Sequence, residues 1–79
     1  MRLKKSVAVS ENGFVFNAGR GESFSTNGIG RRILGLMQEG KNKDAIKGIL
    51  LNEYDIDAAT CEKDVYDFMK MLVQFNLVD

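Results

Sequence analysis

At 79 residues the chain has room for a single domain, spanning 1–79, with one small core. It has one cysteine and no histidine, so it can form no intrachain disulfide and no zinc cluster to staple that core. The usual general base near neutral pH is missing as well. The net charge of zero hides an asymmetry: residues 1–47 carry nine Lys/Arg against four Asp/Glu (+5), and residues 48–79 carry two against seven (−5).

The start, Met1-Arg2-Leu3-Lys4-Lys5, is basic but leads into no apolar stretch of signal-peptide length. No run approaches the roughly 20 apolar residues that cross a bilayer, so no membrane partner is expected. A lone cysteine fits a reducing, cytoplasmic compartment. Ser6 to Ser10 alternates, with Val7 and Val9 on one face, and reads as a first strand. Asn12-Gly13 is a hairpin signal, since both residues tolerate positive φ. Phe14-Val15-Phe16 is the returning strand, and Asn17 to Gly21 a second turn. Glu22-Ser23-Phe24-Ser25-Thr26 makes a short third strand, polar except for Phe24, which suits a sheet edge.

Helical spacing then takes over. Asn27 or Thr26 caps a first helix with Ile29, Ile33, Leu36 and Met37 on its apolar side, and Gly40 stops it. Asn42 caps a second helix with a stripe of Ile46, Ile49, Leu50 and Tyr54. Asp57 caps a third, which runs to about Phe75. Asn76 ends it in the left-handed conformation, and Leu77 and Val78 fold back on the core. The expected fold class is α+β: a three-stranded antiparallel sheet followed by three α-helices.

On the third helix Cys61, Val65, Phe68, Leu72 and Phe75 fall on one stripe at about 100° per residue. Met69, Tyr66, Val73 and Met71 widen the apolar arc beyond the face of about 100° that an amphipathic helix needs. Two explanations stand. Either the helix is central and covered on both sides, or part of the arc lines a groove that awaits a partner. In the second case a peptide would add to the edge strand and rest its side chains on the helix. Cys61 reads as a packed, inert thiol with no activating base. Asn27 to Arg32 opens a helix where anions are favoured, but no Gly-Lys-Ser/Thr ending makes it a phosphate loop.

The pattern Asn27-Gly28-Ile29-Gly30-Arg31-Arg32-Ile33-Leu34, then Gly40, Ala45-Ile46, Tyr54-Asp55-Ile56, Asp64-Val65-Tyr66-Asp67-Phe68-Met69, Leu72 and Asn76-Leu77-Val78 resembles the PqqD family. These are small peptide chaperones of pyrroloquinoline quinone biosynthesis. Their fold also serves as the recognition element of enzymes that modify ribosomally made peptides. The resemblance implies a winged helix-turn-helix-like fold and a non-catalytic role. It implies that a precursor's leader segment adds as a strand between the third strand and the third helix. On this chain that nominates Glu22, Ser23, Phe24, Ser25 and Thr26 on the strand, and Asp64, Val65, Phe68, Met71 and Leu72 on the helix. It further implies a radical S-adenosylmethionine protein, or another peptide-modifying enzyme, as partner. Any iron–sulfur centre would belong to that partner, and no cofactor is expected in this chain, which lacks a cysteine cluster.

A winged-helix DNA-binding protein is the alternative. Against it, Cys61 to Phe75 holds two lysines and three acids, whereas a DNA reader needs a basic recognition element. Arg31, Arg32, Lys41, Lys43 and Lys47 remain as phosphate contacts for that reading. A homodimer that covers the apolar arc with its twin is the third reading.

Overall fold

The computed structural model describes residues 2–79. Strands β1 (Val7–Val9), β2 (Phe14–Asn17) and β3 (Glu22–Ser25) form an antiparallel sheet in the order β1-β2-β3. Helices α1 (Gly28–Gln38), α2 (Lys43–Glu53) and α3 (Ala58–Gln74) follow. This is the α+β order expected from the sequence.

The first hairpin is a three-residue loop rather than a two-residue turn. Ser10 N–H donates to the Phe14 carbonyl (2.8 Å) and Gly13 N–H to the Ser10 carbonyl (3.1 Å). Only Gly13 takes a positive φ, +85°; Asn12 does not. A type I turn closed by a left-handed glycine needs just one such residue. In the second turn Asn17 Oδ1 accepts from Gly19 N–H (3.1 Å) and from the Ser6 hydroxyl (3.4 Å), which satisfies the one buried polar side chain.

Each helix begins at the predicted cap. Asn27 Oδ1 accepts from Gly30 N–H (2.7 Å), Asn42 Oδ1 from Ala45 N–H (2.8 Å) and Asp57 Oδ1 from Thr60 N–H (2.6 Å). At the end of α3, Asn76 sits at φ 60°, its N–H donates to the Val73 carbonyl, and Leu77 N–H donates to the Leu72 carbonyl. That pair of bonds is a Schellman cap. It turns Leu77 and Val78 into the core, and Val78 bridges back to Leu3.

One core lies between sheet and helices. Val15 fills it from the sheet, Ile33, Leu34 and Leu36 from α1, Ile46 and Leu50 from α2, and Cys61, Val65 and Leu72 from α3. A fully buried side chain of this size contributes about 1.5–3 kcal/mol. The core stripe of α3 departs from the expected one. Met69 is buried, Phe68 is only half-buried and Phe75 is 50% exposed. At about 100° per residue, the buried stripe is centred roughly 40° further round the helix than the expected one, toward Met69. The observed run Cys61, Val65, Met69 and Leu72 lies in the core, where α3 packs on α2.

Candidate functional site

Because the sheet order is β1-β2-β3, β3 has β2 on one side only. Pairing fixes what its free edge offers. Across the β1–β2 ladder Ser10 N–H donates to the Phe14 carbonyl and Ala18 N–H to the Ser6 carbonyl, and across the β2–β3 ladder Thr26 N–H donates to the Gly13 carbonyl (2.8 Å). Antiparallel alternation then turns the backbone of Phe24 and Glu22 toward Val15 and Asn17, their partners on β2, and that of Ser23 and Ser25 outward. Those outward groups form the hydrogen-bonding edge of the sheet.

A groove of about 330 Å³ opens between the start of α1 and one flank of α3, just past the end of β3, where Thr26 and Phe68 meet over Gly30. Asn27, Ile29 and Ile33 form one wall; Asp64, Asp67, Phe68 and Met71 form the other. Two close contacts tie the strand to the helix. The rings of Phe24 and Phe75 stack with centroids 6.0 Å apart at 29°. Gly30 is packed between Thr26 and Phe68: a Cβ on it would lie 2.8 Å from Phe68 Cε1 and would clash with Thr26 Oγ1. The missing side chain at position 30 thus lets β3, α1 and α3 meet.

The residues nominated from sequence divide into three groups. Asp64, Phe68 and Met71 line the groove. Of Glu22, Ser23, Phe24, Ser25 and Thr26, none lines the groove: the exposed Ser23 and Ser25 turn their backbone to the free edge, while Glu22, Phe24 and Thr26 turn theirs to β2, with Phe24 half-buried against the core. Val65 and Leu72 are fully buried, so neither has a surface to offer a ligand. They brace Phe68 and Met71 from below, because the stripe that faces the core runs one position beside the stripe that faces the groove. Sequence reasoning did not place Ile29, Ile33, Asn27 or Asp67 in this groove. Gly30 was the available signal, since a glycine inside a helix often marks a close approach.

The groove is apolar at its base and acidic at its rim. Asp67 pairs with Lys63 (3.1 Å), while Asp64 forms no ion pair among the described residues. No three His, Cys, Asp or Glu side chains converge as a metal site among the described residues. Cys61 is buried with its thiol 3.7 Å from the Lys47 carbonyl. Desolvation first, and the Asp64 charge second, push its pKa up, which disfavours the nucleophilic thiolate. A larger groove, about 710 Å³, lies on the opposite flank of α3; none of the expected peptide-binding residues lines it, but Lys41 and Lys43, expected phosphate contacts of the DNA-binding reading, do. No helix among the described residues is long and apolar enough to cross a membrane.

Two solved structures share this fold. One, described as TbiB1 in complex with the TbiA(beta) leader peptide, is 28% identical with a TM-score of 0.91, over 100% of this chain and 95% of that one. The other, a lasso peptide synthetase B1 complexed with the leader peptide, is 20% identical with a TM-score of 0.81, over 98% and 93%. No curated protein sequence matches as a relative. The family model for Coenzyme PQQ synthesis protein D (PqqD) matches residues 12–78, and with the fold and the edge-strand groove now described, the chain belongs to the PqqD family.

Proposed function

We propose that this chain binds the leader segment of a ribosomally made precursor peptide and presents the remainder to a modifying enzyme. The observation that carries the reading is the free edge of β3, which stacks on the end of α3 through Phe24 and Phe75 and leads at Thr26 to the groove on α3, in a fold whose 28%-identical solved relative holds a leader peptide. The leader adds as a fourth strand. Its backbone bonds to Ser23 and Ser25, and alternate side chains enter between Ile29, Phe68 and Met71. Phe24 and Thr26 hold the edge in place, and Glu22 and Asp64 set charge at the two ends of the track. Val65 and Leu72 support the groove from within the core.

Binding, not catalysis, is the role that suits these residues. The chain has no histidine, and its one thiol is buried and held protonated. Covalent chemistry falls to the partner, a radical S-adenosylmethionine protein or another peptide-modifying enzyme. The site of action is the cytoplasm, where such precursors are made. Pairing takes two of the five phosphate contacts from the DNA-binding alternative: Arg32 is held by Glu53 in two bonds (2.9 and 2.7 Å), and Lys47 lies near Asp44 and Glu62. The surface of α3 beside the sheet is acidic, where a DNA reader needs basic side chains.

The test is a nitrogen-15 NMR titration of the full chain with leader peptides encoded beside it. Shifts concentrated at Ser23 to Thr26 and at Asp64, Phe68 and Met71 are expected. Shifts confined to other surfaces, or none with any such peptide at high micromolar concentration, would reject the reading.

A further inference from the structure

The larger groove on the far flank of α3 has a chemistry opposite to that of the leader groove. Its base is apolar: Met37 and Met69 are buried beneath it, and Tyr66 and Val73, each 55% exposed, stand at its side. Its rim is basic: Arg2, Lys41, Lys43 and Lys70 surround it, and no acidic residue lines it. None of these four cations forms an ion pair among the described residues, whereas Arg20, Arg32, Lys47 and Lys63 all do. Lys43 instead lies over the Tyr66 ring, 5.8 Å from its centroid. The N-terminus of α2, at Asn42 and Lys43, opens on the same groove and adds the positive end of a helix dipole.

We infer that this groove docks an acidic, amphipathic segment of the modifying enzyme. The inference rests on the leader-binding reading for the identity of the partner, and on charge complementarity for its chemistry. A segment with one apolar edge fills the methionine-floored base, and its carboxylates meet the four unpaired cations. A nucleic-acid backbone matches the rim but has nothing apolar to set against Met69 and Val73. The two flanks of α3 sort the two ligands. Asp64 and Asp67 repel an acidic segment from the leader groove, and the basic flank accepts it, so leader and enzyme occupy one helix together.

The test uses the full chain, a fluorescent leader peptide, and the purified modifying enzyme encoded beside the chain. Lys43 and Lys70 are exposed, so the pair Lys43→Glu and Lys70→Glu leaves the core untouched. Enzyme affinity is expected to fall roughly tenfold or more, and leader affinity to stay within about twofold. The pair Lys43→Arg and Lys70→Arg should keep enzyme binding. Rising salt should weaken the enzyme complex. In the wild-type chain, enzyme addition should shift the amides of Lys41, Lys43, Tyr66 and Lys70. Unchanged enzyme affinity after charge reversal, or enzyme shifts confined to β3, would overturn the inference. So would a wild-type dimer that the same reversal splits, or duplex DNA held at this face more tightly than the enzyme. Failure of the leader to bind at all would instead sink the proposed function, and the direct enzyme titration would still score the second groove.

Discussion

Phe24 on the edge strand and Phe75 at the end of α3 stack at 6.0 Å, and this contact joins the sheet edge to the helix. Phe75 is half exposed and Phe24 half-buried, so the pair seals the junction without belonging to the deep core. Stacked aromatic pairs contribute about 0.5–1.5 kcal/mol beyond their buried area. Phe75→Ala is therefore expected to lower the melting temperature by roughly 5 °C, given the usual sensitivity of domains this small. Leader affinity should drop as well, because β3 loses its anchor on α3. Thermal unfolding and a peptide titration check both. An unchanged affinity would show that the edge is held without the stack.

Glycines offer a sharper contrast. Gly48 lies exposed inside α2 with nothing within 4 Å of a would-be Cβ. Gly48→Ala should therefore stabilise the protein by about 0.5–1 kcal/mol. Gly30→Ala gains the same helix propensity but drives a methyl into Thr26 and Phe68. Overpacking of this kind costs about 1–3 kcal/mol. The net sign should reverse, and the displaced Phe68 should also weaken leader binding. Urea denaturation of the two variants side by side decides it: two stabilised proteins would mean that the Gly30 contact relaxes freely.

Much of this was legible in the chain because local chemistry and fold agree. Asn27, Asn42 and Asp57 announce the three helices, and each side chain makes the capping bond that its position predicts. Asn76 and Gly40 end helices in positive φ, as their residue types suggest. The α3 surface was harder to read. Phe68 and Phe75 lie at helical spacing from Cys61 and Val65, yet they face the groove and the edge strand while Met69 takes the core position. A helix that is apolar on two adjoining stripes shows the same periodicity whichever stripe is covered, and only the packing of neighbouring elements, α2 foremost, decides between them. The second groove was invisible for a related reason. Arg2, Lys41, Lys43 and Lys70 are scattered through the chain and meet only in three dimensions.

Acid stability should depend on two carboxylates. Hydrogen bonds from Thr60, hydroxyl first and backbone N–H second, hold Asp57 below the usual Asp range, and the Arg32 guanidinium does the same for Glu53. A carboxyl depressed in the folded state contributes stability that is complete above its unfolded pKa and is lost as pH falls through the folded value. The protein should therefore lose stability progressively below the ordinary carboxylate range. Asp57→Asn keeps the cap but removes the titration, and Glu53→Gln removes the charge that Arg32 holds. Melting temperatures of this double variant should fall less steeply with acidification than those of the wild type. Parallel curves would assign the acid sensitivity to other groups.

Cys61 provides a readout of core opening. It is 1% exposed, and burial pushes its thiol pKa up. A raised thiol pKa adds stability below the unfolded value that diminishes as pH climbs above it, the reverse of the carboxylates. At pH 8 native Cys61 should react with a thiol reagent far more slowly than the urea-unfolded chain. Rapid labelling of the native protein would place α3 in frequent local opening.

Strand addition itself is testable on the backbone. The N–H groups of Ser23 and Ser25 point away from β2, whereas those of Phe24 and Glu22 point toward it. Proline is tolerated on an edge strand where the lost N–H faced solvent, and it breaks the ladder where the N–H faced the sheet. Ser25→Pro should therefore fold with near-normal stability but lose a backbone bond to the leader. One such bond, about 0.5–1.5 kcal/mol, corresponds to roughly a two- to tenfold loss in affinity. Phe24→Pro should damage the sheet itself, together with the Phe75 stack. The diagnostic outcome is a Ser25→Pro protein that melts like the wild type and binds leader less tightly. If it binds equally well, the leader reaches α3 through its side chains without pairing to β3, and strand addition is the wrong geometry for this groove.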